Sequence, residues 1–107
     1  MGKFIKGDVV VLPFPFSDLS GSKRRPALVL ANLEGNDVLL CQITSQPSKG
    51  AIALTNNNFI SGFLPVDSFI KPYKIFTADF NIFIKTAGHV QKEVTEKVIE
   101  QIISVPQ

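Results

Sequence analysis

The sequence predicts a mainly β protein, a small barrel or curled sheet of antiparallel strands with one helix at the C-terminal end. Three observations carry that reading. The runs Val9-Val10-Val11-Leu12 and Ala27-Leu28-Val29-Leu30-Ala31 are short, rich in β-branched residues and apolar on both phases, as strands buried on both faces are. Turn-forming clusters recur at close spacing. Only the end of the chain has helical periodicity: Val94, Val98, Ile99, Ile102 and Ile103 share one side, with Lys92, Glu93, Glu96, Lys97 and Glu100 on the other.

Taken in order, the first strand runs from Val9 and is expected to leave the sheet or become an edge near Phe14, because Pro13 and Pro15 cannot donate to a ladder in mid-sheet. The polar loop Ser17-Asp18-Leu19-Ser20-Gly21-Ser22-Lys23-Arg24-Arg25 leads to the second strand, which opens at Pro26. Glu34-Gly35-Asn36-Asp37 is a tight turn by composition and joins it to a third strand, Val38 to Ser45, as an antiparallel hairpin. Along that strand Leu39, Cys41 and Ile43 make an apolar face, and Leu40, Gln42 and Thr44 share the other. Gln46-Pro47-Ser48-Lys49-Gly50 reads as a loop, Ala51 to Leu54 as a short strand and Thr55 to Asn58 as a turn. Leu64 to Ile70 is a further strand candidate, and Phe80 to Lys85 is a last strand or a short helix. The phenylalanines between Phe59 and Phe83 are read as core, with a partly exposed dimer surface as the other reading.

A chain of 107 residues with 45% apolar content fits one domain, spanning 1–107, with a single core. Eleven basic against nine acidic side chains leave a charge of +2, which permits nucleic acid as a partner without demanding it. One cysteine allows no disulfide framework and fits a reducing, cytoplasmic setting. Lys3 and Lys6 before an apolar stretch resemble a secretory leader, but Asp8, Pro13 and Pro15 break the run, which is too short for a membrane span. The expectation is a soluble protein with no membrane association.

The same inventory excludes several chemistries. One histidine, one cysteine and scattered carboxylates offer no ligand spacing for a metal. His89 stands at the approach to the final helix with no nucleophile near it in sequence, and is expected to be a surface or capping residue. No phosphate-cradling glycine motif is present, so no cofactor is expected. Cleavage of RNA by its own 2′-hydroxyl survives, because the substrate carries the nucleophile and the protein need only orient it and stabilise charge. Arg25, fixed next to Pro26, is a permanent cation with a planar fork of donors suited to a phosphate. A donor placed where charge builds on the phosphoryl oxygens contributes on the order of 3 kcal/mol. Thr44, at the end of the third strand, could hydrogen-bond the same phosphate. The ordinary readings stand beside these: an arginine before a strand is commonly a surface ion-pair partner, and a threonine in a strand is commonly a strand former.

In order along the chain, Gly7-Asp8-Val9-Val10, then Lys23-Arg24-Arg25-Pro26-Ala27-Leu28-Val29-Leu30, then Gln42-Ile43-Thr44-Ser45 with Ser48-Lys49-Gly50, and finally Thr77-Ala78-Asp79 before the closing helix resemble the MazF/PemK family of bacterial toxins. The resemblance implies an SH3-like barrel with a C-terminal helix and a homodimer. It implies a metal-independent, sequence-selective endoribonuclease that cuts single-stranded mRNA, leaving 2′,3′-cyclic phosphate and 5′-hydroxyl ends, and a cognate antitoxin that binds across the same surface. It places the catalytic roles on Arg25 and Thr44 and RNA contacts on Lys23, Arg24, Ser45, Gln46 and Lys49, with Lys74 and Asp79 as accessory residues. One departure stands out. Some members carry an arginine beside or just before the Thr-x-Asp pattern, where this chain reads Lys74-Ile75-Phe76-Thr77-Ala78-Asp79. The alternatives are a binding module of the same shape without nuclease activity, either a toxin that poisons gyrase by protein contact or a nucleic-acid-binding barrel that has lost catalysis.

Overall fold

In the computed structural model, which describes residues 4–15 and 22–104, an antiparallel sheet carries one C-terminal helix. The strands are β1 (Asp8–Pro15), β2 (Ser22–Asn32), β3 (Asp37–Thr44), β4 (Ile52–Leu54), β5 (Phe59–Gly62), β6 (Ser68–Asp79) and β7 (Lys85–Val90), and the helix α1 is Lys92–Ile103. They form one sheet in the order β4-β6-β3-β2-β1-β7-β5, curled so strongly that Phe14 on β1 meets Phe76 on β6, three strands away. Among the described residues no helix is long and apolar enough to cross a membrane.

Alternation on the central strands sends side chains into two apolar clusters, one on each face. Val9, Leu28, Cys41 and Ile43 join Ile70, Val90, Val94 and Val98, so this cluster lies between the sheet and α1. Val10, Leu12, Ala27, Val29, Val38 and Leu40 form the second, closed over by the rings of Phe4, Phe14, Phe76, Phe80 and Phe83. The expected split of β3 into a Leu39, Cys41, Ile43 face and a Leu40, Gln42, Thr44 face follows from this pleat. None of the phenylalanines from Phe59 to Phe83 is fully buried; most roof the clusters rather than fill them, and Phe63 is exposed.

The prolines sit where a ladder donor is not needed. The Val11 carbonyl accepts from Ile84 N at 2.7 Å, so odd residues of β1 face β7, whose pairing stops at Val11↔Lys85. Pro13 and Pro15 lie beyond that point and keep only their β2 neighbours. β2 begins at Ser22, so Pro26 is inside the strand and Arg25 is a strand residue, not the last residue of a loop. The missing Pro26 donor faces β3, where pairing starts only at Ala27↔Gln42.

Strands β5, β6 and β7 differ from the sequence reading, which placed no strand at Phe59–Gly62. Residues 64–67 are loop, and the strand expected there is β6, displaced to Ser68–Asp79. It passes through Pro72 on a wide bulge: Cys41 pairs with Ile75 and Ile43 with Ile70, so residues 71–74 stand opposite Gln42 alone. The bulge lets β6 change sides, with Ile70 in the helix-side cluster and Phe76 and Ala78 in the other. Phe80–Ile82 is a 3-10 turn, and the last strand is β7. His89 therefore belongs to β7, with Nδ1 2.9 Å from Asp8 Oδ1, and does not cap the helix, whose N-cap is Gln91.

Candidate functional site

The end of the sheet where β2 enters forms a groove of about 800 Å³. Its walls come from Lys23, Arg24, Arg25 and Pro26 of β2, from Ile43 and Ser45 around the end of β3, and from Ile84, Lys85, Thr86 and Ala87 of β7. The turn after β5 closes it with Phe63, Leu64, Pro65 and Val66. Among the described residues the lining holds four cationic side chains, Lys23, Arg24, Arg25 and Lys85, and no carboxylate. A concave surface of one sign concentrates a counter-charged ligand.

The register explains how the central residues come together. β2 and β3 pair at Ala27↔Gln42 and Leu28↔Cys41; Arg25 stands two residues before Ala27 and Thr44 two residues after Gln42, at the same end of the two strands and just beyond their last paired residues. Both then fall on the face of Ala27 and Leu40, while Arg24 alternates to the face of Leu28. The groove wraps round this end of β2, so neighbouring side chains of both phases line it. Arg25 is half-buried with Leu12 across the strand on the β1 side, a position that limits the swing of a long side chain.

Thr44 does not line the groove itself; Ile43 and Ser45 on either side of it do. It is only 5% exposed. Its Oγ1 accepts from Gln46 N at 3.1 Å, which pins the turn out of β3 and leaves the hydroxyl proton free to be donated. Gln46 thus meets Thr44 through its backbone, and its side chain is exposed.

Lys49 and Lys74 lie apart from this groove. They line a second, shallower basin of about 180 Å³ with Ser48, Ala51, Lys71, Pro72 and Tyr73. The β6 bulge brings Lys71 and Lys74 together there, and the loop after Thr44 joins the two concavities, since Ser45 borders one and Ser48 and Lys49 the other. Asp79 is at the opposite end of β3, paired with Asp37, where its Oδ1 accepts from Asn81 N at 2.8 Å and caps the 3-10 turn. Phe76, just before Thr77-Ala78-Asp79, packs edge-on against Phe14 with centroids 5.0 Å apart. The polar loop residues Ser17 to Gly21 and the chain end Val105 to Gln107 lie outside the described residues.

Two lining residues, Phe63 and Lys85, were not among the sequence candidates. Their position depends on β7 pairing with both β1 and β5, and the polar sequence of β7, Lys85-Thr86-Ala87-Gly88-His89-Val90, carries little strand signal.

A family model described as the PemK-like, MazF-like toxin of type II toxin-antitoxin system matches residues 5–105. The chain belongs to this toxin family. No curated protein sequence matches it, but the MazF-like fold is widely shared among solved structures. In a MazE-MazF crystal structure from Deinococcus radiodurans, a chain superposes with a TM-score of 0.73 at 21% identity, covering 94% of this chain and 92% of that one. An endoribonuclease from a Mycobacterial species superposes with a TM-score of 0.72 at 16% identity, covering 97% and 91%. A Mycobacterial endoribonuclease in complex with its cognate antitoxin gives 0.65 at 18%, covering 97% and 92%. At these identities the likeness establishes a shared fold.

Proposed function

We propose that this toxin is a metal-independent endoribonuclease that cleaves single-stranded RNA at selected sequences, and that a cognate antitoxin restrains it by covering the same groove. The observation that carries the reading is Arg25 at the wall of a groove whose charged side chains, among the described lining, are all cationic, on the strand beside the one that ends in Thr44, whose hydroxyl has a proton to give.

The 2′-oxygen of one nucleotide attacks the adjacent phosphorus, the bond from phosphorus to the 5′-oxygen breaks, and the products carry a 2′,3′-cyclic phosphate and a 5′-hydroxyl. Negative charge grows on the two non-bridging oxygens in the transition state. Arg25 supplies paired donors to those oxygens, and Thr44 a single donor at the same phosphate. His89, the chain's one imidazole, is bound to Asp8 and does not line the groove. The proton lost by the 2′-hydroxyl and the proton gained by the 5′-oxygen are therefore moved by less usual groups than imidazole, which makes turnover slow. Lys23 and Arg24 hold neighbouring phosphates, Ser45 faces the RNA from the end of β3, and Lys49 and Lys74 receive the strand where it crosses the loop into the second basin. The working molecule is a homodimer, so sedimentation at micromolar concentration should give roughly double the monomer mass.

The test is incubation of the purified protein with a long single-stranded RNA in EDTA, followed by mapping of the ends. Cleavage at sites sharing a short motif, with 5′-hydroxyl ends and a rate lowered roughly a hundredfold or more by Arg25→Ala, is expected. An Arg25→Ala protein that cuts like the parent would remove Arg25 from the site, and no cleavage by the parent would leave the fold as a binding module.

A further inference from the structure

Phe63 is 63% exposed at the mouth of the groove, although a ring of that size is ordinarily kept from water. Its backbone is not loose. The Phe63 N–H donates to the Ala87 carbonyl at 3.2 Å. The preceding Gly62 has φ +74, and a Cβ there would lie 2.1 Å from that same carbonyl, so only glycine lets the chain turn this tightly onto β7. Among the described residues no other aromatic ring packs against Phe63. An aromatic side chain is thus presented from a fixed backbone point and left uncovered by the described residues of its own chain. Across the mouth, Lys85 sits on β7 opposite Val11 and Arg24 on β2 opposite Pro13, and neither makes an ion pair among the described residues.

We propose that Phe63 is the stacking platform for an unpaired base of the RNA, with Lys85 and Arg24 holding the phosphates on either side, so that this rim positions the nucleotide at the mouth of the groove. The assignment rests on the ribonuclease reading for its substrate. It follows from the pairing of an exposed π-face with cations at a groove free, among its described lining, of carboxylates: single-stranded nucleic acids are gripped by a basic track that follows the backbone and by aromatic rings that take the bases. The same groove is lined by the exposed Ser45, while Ser68 is buried with its hydroxyl donating to the Val66 carbonyl.

The chain contains no tryptophan, so Phe63→Trp installs a single fluorescent reporter at the site. A fully 2′-O-methylated single-stranded RNA oligonucleotide, which lacks the attacking hydroxyl, is the probe. Saturable quenching of the new tryptophan is expected, with a dissociation constant within about threefold of the parent's. Phe63→Ala should weaken binding of that probe by roughly five- to a hundredfold, and Phe63→Leu should fail to restore it, because an aliphatic side chain lacks the π-face. Far-ultraviolet dichroism and thermal melting should show that the exposed position tolerates both changes. An unquenched tryptophan at saturating RNA, or Phe63→Ala and Phe63→Leu proteins that bind like the parent, would overturn the platform while leaving cleavage by the parent intact. Quenching in a protein that never cleaves unmodified RNA would support the platform and sink the ribonuclease reading instead.

Discussion

Phe14 and Phe76 meet edge to face, ring centroids 5.0 Å apart, across the open side of the sheet. They stand on β1 and β6 with β2 and β3 between them, so the contact closes the curl over the second cluster. Such pairs contribute about 0.5–1.5 kcal/mol beyond the area they bury. A double-mutant cycle with Phe14→Leu and Phe76→Leu, read by urea unfolding, should return a coupling energy in that range. A coupling indistinguishable from zero would mean that the curl is held elsewhere.

Close approach of β5 to β7 makes a sharper forecast. A Cβ on Gly88 would lie 2.4 Å from the Ser61 carbonyl oxygen and 2.8 Å from Phe59 Cδ2. Gly88→Ala must push β5 away and should cost about 2–3 kcal/mol. Gly35 has φ +68 and open space around it, so Gly35→Ala meets only the backbone penalty, about 1 kcal/mol. Equal midpoint shifts in denaturant for the two variants would contradict the packing at Gly88.

Burial pushes the Cys41 thiol from its ordinary 9.0 up to about 12, and its Sγ donates to the Lys71 carbonyl at 3.0 Å in the bulge. The native protein should therefore be inert to Ellman's reagent at pH 8 and release one equivalent when unfolded. An acid whose folded pKa is raised stays protonated in the native state while the unfolded chain ionises, so stability falls as pH climbs from about 9 towards 12. The slope is at most about 1.4 kcal/mol per pH unit. Cys41→Ala should lose that component of the slope.

Thr44→Val keeps size and strand preference but removes both the acceptor for Gln46 N and the donated proton. A clear loss of cleavage, smaller than that of Arg25→Ala, is expected from single-turnover rates on a short RNA. An unchanged rate would return Thr44 to a purely structural part.

The second basin predicts a dependence on substrate length. Lys49→Ala combined with Lys74→Ala should weaken binding of an RNA long enough to cross the loop and leave a short one bound as before. For the long RNA the logarithmic salt dependence should flatten by about 0.7 for each phosphate that is no longer neutralised. Equal effects on both lengths would place these lysines in the groove itself.

Much of the fold was legible because it is local. Leu39, Cys41 and Ile43 declare the pleat of β3, Glu34-Gly35-Asn36-Asp37 the hairpin, and Val94 and Val98 the buried side of α1. The second half of β6 was not, because Pro72 reads as a break and its rescue needs Gln42 of another strand to face the bulge. β5 is only four residues long and β7 is polar, and their pairing is visible only once Gly62 and Gly88 are brought together. The candidate site divides in the same way. Lys23, Arg24, Arg25 and Ser45, singled out in the sequence, line the groove and Thr44 stands beside it, although Arg25 was read as the end of a loop, whereas Phe63 and Lys85 reach the groove only through pairings made far along the chain.

Because β6 gives Ile70 to one cluster and Phe76 and Ala78 to the other, neither half of the protein has a floor of its own. Loosening either side strips the shared strand from both, so amide exchange in Val29, Leu40 and Val98 should proceed by a single global opening. A protein made this way should be either whole or wholly open, with no half-melted form between.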